Sequence, residues 1–141
     1  MGEAKRSYYF KDLTRWAEFY GVPFRFPTRF PMPTLKALRA YLALPEGRRG
    51  AFRERTFRAY WAEDRDINDE GVLAELAGED AGTFAALSAR MQSPEIKKEL
   101  ADATQSAIDR GVFGAPTWIV DGQEIFWGQD RIALIERALG H

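Results

Sequence analysis

The chain contains no cysteine, and its one histidine is the last residue, His141. The first absence excludes structural disulfides, thiolate metal sites and any dithiol chemistry performed by the chain itself. A sulfur that takes part in its chemistry has to arrive with a ligand. The second excludes Ser-His and Cys-His nucleophile pairs. His141 reads as a frayed terminus and not as a metal ligand or an acid/base group. No apolar run is long enough to span a membrane. The opening MGEAKRSYYF lacks the apolar core of a signal peptide, and Arg6 stands where a myristoylation motif needs Ser or Thr. Neither sign of charge is in excess, with 20 Lys and Arg against 21 Asp and Glu. That balance argues for no nucleic-acid partner and no anionic membrane surface. A cytoplasmic location is the default expectation.

What is present is a chain of 141 residues with 45% apolar content, enough for a real core. Tyr9, Leu13, Trp16, Ala17 and Tyr20 share one face of a first helix, Ser7 to Tyr20, and Gly21 suits its C-terminal cap. The stretch from Gly21 to Pro33 carries four prolines and cannot be helical. Its phenylalanines, Phe24, Phe26 and Phe30, predict an ordered, packed loop. Thr34 is placed to cap a second helix to about Leu44, with Leu35, Leu38 and Leu42 as its buried stripe. A third helix, about Arg48 to Glu63, carries aromatics on more than one face and is expected to be central. Its arginines (48, 49, 53, 55 and 58) read as a solvated face with ion pairs. Shorter helices follow, from Asn68 or Asp69 to Ala77 and from Asp80 or Gly82 to Met91. Ser93-Pro94-Glu95 opens a longer one to about Arg110, since Ser caps, Pro fits the first position and Glu suits the first turn. The acidic run Asp64, Asp66, Asn68 with Glu75 imitates a calcium loop. Its sixth position is Asp69 where glycine is required, so helix capping explains the run better and no metal is expected.

Gly111 to Asp130, reading GVFGAPTWIVDGQEIFWGQD, organises the rest. A helix stops at Gly111 and a loop ends in Ala115-Pro116. Two β-prone runs, Thr117 to Val120 and Gln123 to Phe126, flank Asp121-Gly122, a dipeptide suited to a type I′ turn. Asp130 then stands as N-cap or first-turn carboxylate of a last helix, Arg131 to Leu139, expected to bury Ile132, Ile135 and Leu139.

Ala-Pro-Thr before a hairpin, followed by Phe-Trp-Gly-Gln-Asp-Arg, resembles the C-terminal part of the 2-hydroxychromene-2-carboxylate isomerases and the kappa-class glutathione transferases. Both belong to the DsbA-like branch of the thioredoxin fold. The resemblance implies an α/β, mostly helical fold, with an inserted helical domain and connector helix (1–110) and a closing β-hairpin plus helix (111–141). It also implies that the family's opening β-α-β unit, with its serine, has no counterpart in these residues; Ser7 lies on the wrong element, so the catalytic group stays unassigned. It implies a cis bond before Pro116. Glutathione would bind along Ala115 and Pro116, with its γ-glutamyl end at Gln129 and Asp130. Lys5, Trp61 and Trp127 become candidate walls of a ligand cleft, with Phe24 and Phe26 near a flat substrate. The implied activity is glutathione-dependent isomerisation of a small aromatic-derived acid, in which a thiolate adds, a bond rotates and the thiol leaves. A kappa-type transferase and a non-catalytic assembly module are the alternatives. Two strands alone leave an edge and a face to be covered, which predicts a homodimer.

Overall fold

A computed structural model describes residues 2–140; His141 lies outside the described residues. The order of elements is α1 (Glu3–Tyr20), α2 (Leu35–Ala43), α3 (Glu46–Trp61), α4 (Glu70–Ala77), α5 (Ala81–Met91), α6 (Pro94–Asp109), β1 (Thr117–Val120), β2 (Glu124–Trp127), a 3-10 turn (Gln129–Arg131) and α7 (Ile132–Ala138). The chain divides into two compact units, Met1–Leu100 and Ala101–His141, so that α6 starts in one and ends in the other.

Local chemistry sets most helix ends. Gly21 ends α1 in the left-handed region (φ 64°), where its N–H and that of Val22 take the last carbonyls. Asp69 caps α4 by accepting from Val72 N–H, and Gly78 closes the helix at φ 68°. Asp80 and Thr83 form a reciprocal capping box at the start of α5. Ser93 Oγ accepts from Ile96 N–H at the start of α6. Helix α1 begins at Glu3, four residues earlier than expected, which puts Lys5 inside a helix and not in an approach to one.

Among the described residues, the core of the first unit is a cluster of fifteen buried apolar residues drawn from α2 to α6 and the α3–α4 connection. Leu73 and Met91 are its largest fully enclosed side chains. Helix α3 buries Phe52, Ala59 and Tyr60 but leaves Phe57 exposed, and the helix with most neighbours is α2, which packs against α3, α4 and α5, a correction to the expectation that α3 is central. Helix α2 corrects the sequence expectation. Its buried side is Ala37, Ala40 and Ala43, while Leu35 and Leu38 are exposed. Small side chains let the neighbouring helices approach closely, and that packing outweighs the larger transfer energy of the leucines. The loop from Val22 to Pro33 is ordered, as expected. Phe26 packs edge-on to Phe10 at 4.7 Å and tilted against Phe30 at 5.1 Å. Arg25 N–H donates to Trp61 C=O, and Tyr60 Oη donates to Arg29 C=O.

In the second unit, β1 and β2 pair antiparallel with Thr117 opposite Trp127 and Val120 opposite Glu124. Asp121 and Gly122 both take positive φ (50° and 74°), and Gln123 N–H closes the turn onto Val120 C=O. That is the expected turn, yet strand pairing resumes one residue late, at Glu124. The shift places Trp118 beside Phe126 and Ile119 beside Ile125. Helix α7 does not bury its stripe: Ile132 and Leu139 are exposed and Ile135 is half-buried.

Candidate functional site

The loop before β1 and the loop after β2 meet because the strands that follow and precede them are paired. Thr117 opposes Trp127, and Gly128 N–H donates to Pro116 C=O at 3.0 Å. Thr117 Oγ1 donates back to Gly114 C=O at 2.5 Å. The Trp127 indole lies over Gly114: a Cβ built there would sit 2.5 Å from indole Nε1. The Phe113 ring packs tilted against Trp127 at 5.2 Å. Glycine at 114 is therefore a requirement of close approach. The Ala115–Pro116 peptide bond is cis.

Ala115, Pro116, Gln129 and Asp130 are all exposed. They lie on the two loops joined by the Gly128–Pro116 bond. Among the described residues, neither the N–H nor the C=O of Ala115 has a hydrogen-bond partner. An extended peptide backbone could take both of these groups. Asp130 is the first-turn acid of the 3-10 turn and not an N-cap, because neither the 3-10 turn nor α7 receives a side-chain cap. Its Oδ2 instead accepts from Arg131 Nη1 at 2.9 Å. Its Oδ1 lies against Gly128, which adopts φ 118°, and a Cβ on Gly128 would come within 2.6 Å of it. The backbone of Gly128 thus allows the carboxylate to fold over it.

Lys5 and Trp61 belong to the first unit, and Trp127 to the second. Lys5 is exposed on α1. Trp61 is half-buried at the end of α3 amid Phe24, Phe26, Phe30 and Tyr60.

The acidic run after α3 is engaged throughout. Asp64 adopts φ 57° and accepts from Thr28 N–H at 2.8 Å and from its hydroxyl. Those hydrogen bonds, helped by Arg25 and Arg29, hold its carboxyl below the ordinary range. Asp66 accepts from Asn68 N–H, Asp69 caps α4, and Glu75 forms a two-pronged pair with Arg65. The Arg65 hydrogen bonds lower the Glu75 carboxyl in turn. Among the described residues no group of three or more His, Asp or Glu side chains is placed to hold a metal ion. None of the described helices is long and apolar enough to cross a membrane.

Comparison with known proteins extends the geometry. The family described as DSBA-like thioredoxin domain matches residues 2–140. The chain is 38% identical over 129 residues to the 2-hydroxychromene-2-carboxylate isomerase of Sphingobium xenophagum, covering 91% of this chain and 65% of that protein. It is 30% identical over 138 residues to the enzyme of the same name from Pseudomonas putida, covering 98% of this chain and 67% of that one. It is 31% identical over 151 residues to human glutathione S-transferase kappa 1, covering 96% and 66%. A solved structure of a 2-hydroxychromene-2-carboxylate isomerase superposes with a TM-score of 0.79 at 29% identity, over 98% of this chain and 67% of that one. The chain thus spans about two thirds of the length of these relatives. On the helical pattern, the hairpin that follows α6 and these matches, the chain belongs to the DsbA-like thioredoxin family, in its branch of 2-hydroxychromene-2-carboxylate isomerases and kappa-class glutathione transferases.

Proposed function

We propose that this chain serves a glutathione-dependent isomerase acting on a small aromatic-derived acid, of the 2-hydroxychromene-2-carboxylate type. The observation that carries the reading is the exposed, unpaired backbone of Ala115 beside the Gly128–Asp130 turn. Its relatives named 2-hydroxychromene-2-carboxylate isomerase supply the reaction class. The donor set fits a tripeptide thiol. Ala115 offers one N–H and one C=O to a cysteinyl backbone. Pro116 offers an apolar ring next to the sulfur. Asp130 offers a carboxylate to the γ-glutamyl ammonium, and Arg131 on its other side holds it in place. Gln129 sits at the start of the 3-10 turn, where its backbone would meet the γ-glutamyl carboxylate.

When bound, glutathione supplies the sulfur nucleophile that a cysteine-free chain lacks. The chain's own residues orient and desolvate. Trp127, locked over Gly114 and against Phe113, gives the sulfur's surroundings a rigid apolar wall. Lys5 and Trp61, both in the first unit, are further proposed ligand contacts. The same reading has the protein working in the cytoplasm as a homodimer. It is supported there by the many large apolar side chains that the second unit leaves exposed, Trp118, Ile132 and Leu134 among them. The kappa-class relatives favour a second reading, transfer of glutathione to an electrophile with release of the adduct.

Calorimetric titration of the chain with glutathione tests the site. Binding is expected, and Asp130→Ala should weaken it about tenfold, as for a charge-assisted hydrogen bond. Titration with glutathione lacking its α-amino group should show the same loss in the unaltered chain and none in the variant. A folded chain that binds no glutathione, or an Asp130→Ala variant of unchanged affinity, overturns the assignment. Chromatography of the products separates isomer from stable adduct.

A further inference from the structure

Helix α1 is the longest of the described helices, at 18 residues, and it buries none of them. Its half-buried side runs through Phe10, Leu13 and Ala17, with Phe10 edge-on to Phe26 of the following loop. The opposite side carries Tyr8, Asp12, Arg15 and Phe19. Steps of four, three and four residues put these four on one stripe of the helix. Tyr8 is 59% exposed, and Phe19, at 77%, is the most exposed large apolar side chain among those described. Phe19 is nevertheless braced, edge-on to Trp16 at 5.7 Å and to Tyr20 at 5.2 Å.

The two charges between these rings lack counter-ions. Arg15 is exposed, and among the described residues it has no carboxylate or carbonyl partner. Asp12 accepts one long hydrogen bond, 3.5 Å, from Tyr8 Oη and has no cation beside it. Read from either end, the stripe runs aromatic, charge, opposite charge, aromatic, and its midpoint falls between Leu13 and Thr14. Such a stripe complements itself in one direction only. A parallel pair of α1 helices in register would set Asp12 on Asp12 and Arg15 on Arg15, a repulsive arrangement. An antiparallel pair about the midpoint sets each aspartate on the other helix's arginine and each Tyr8 on the other's Phe19. A two-fold axis then makes every contact twice.

We propose that α1 pairs antiparallel with α1 of a second copy of this chain, with Asp12 on the partner's Arg15 and Tyr8 on the partner's Phe19. The inference rests on the homodimer of the proposed function and says which surface forms it. Ile132 and Leu134 of the second unit are the competing surface. A helix of this length is about 27 Å long, and one such pair lies at the small end of specific interfaces, so association should be reversible at micromolar concentrations.

Sedimentation equilibrium of the full chain and of two charge reversals, Asp12→Arg and Arg15→Asp, tests the pairing. The unaltered chain should dimerise. In either variant both stripes carry one sign of charge, and the dissociation constant should rise more than about tenfold. Mixed in equal amounts, the two variants should dimerise again, because the cations of one chain then face the anions of the other. That recovery also shows that both variants fold. A variant that dimerises as tightly as the unaltered chain overturns this interface and leaves the homodimer to another surface. A mixture no tighter than its components overturns the Asp12–Arg15 pairing. A monomeric unaltered chain removes both this interface and the proposed homodimer, and leaves the glutathione titration to decide the site at Ala115.

Discussion

The two units differ in how their residues are held. Among the described residues the first encloses fifteen apolar side chains, and several of its aspartates and arginines cap helices or hold carboxylates and helix-end carbonyls. The second has no buried residue among those described, although it carries Phe113, Trp118, Ile125, Trp127, Ile132 and Leu134. Its order comes from a short ladder, a positive-φ turn and local contacts such as Trp127 on Gly114. A two-stranded sheet with so little enclosed surface has little stability of its own. The lesson is that the first unit carries its own stability, while the second presents rigid local geometry at the loops and leaves its apolar faces open to other surfaces.

Substitutions sharpen that contrast. Leu73→Ala removes a fully enclosed side chain and should cost about 3 kcal/mol in urea denaturation. A cost below about 1 kcal/mol would mean that the first unit's core is no firmer than the second's surface. Gly128→Ala comes next. It forces a side chain into φ 118° and into the Asp130 carboxylate, at a local cost of about 2 kcal/mol. Hydrogen exchange should show lost protection at residue 128 and along β1–β2, with the first unit unaffected. Asp80→Ala breaks the capping box of α5 and should cost about 1 kcal/mol, confined to the first unit. Ile125→Ala, in a partly exposed strand, should cost about 1 kcal/mol or less by the same measurement.

Acid should weaken the first unit. The carboxyls of Asp64, Asp80 and Glu75 are all held below their ordinary values, chiefly by hydrogen bonds from Thr28, Thr83 and Arg65 respectively. A group whose pKa is depressed by folding contributes stability above its unfolded pKa. That contribution disappears as pH falls through the folded value. Denaturation followed across the acid range should therefore show stability falling below the usual carboxylate pKa. Asp64→Asn should flatten part of that fall, and an unchanged slope would assign it to other groups.

Much of this architecture was legible where local chemistry decides. Asp69, Asp80, Ser93-Pro94 and Gly21 marked helix ends because capping depends on a few adjacent residues. Asp121-Gly122 marked the turn for the same reason. What escaped depends on residues far apart in sequence. The hairpin register slipped by one because the loop holds three residues where the dipeptide suggested two. The stripe of α2 was inverted because close helix packing selected alanine over leucine, a choice made by the neighbours of α2. Asp130 read as an N-cap or a first-turn acid; it holds the first-turn place, and Arg131 takes its carboxylate.

The loop that joins α1 to α2 is fastened to the end of α3 at several points. Thr28 is held by Asp64, Arg25 N–H by Trp61 C=O, and Arg29 C=O by Tyr60 Oη. Trypsin must draw an extended stretch of chain into its cleft before it can cut after Arg25 or Arg29. While these fastenings hold, both arginines present exposed side chains on a backbone that cannot be drawn out. The loop should therefore resist digestion despite its four prolines and its lack of regular structure, and a single change at Asp64 should convert it into the first place the chain is cut.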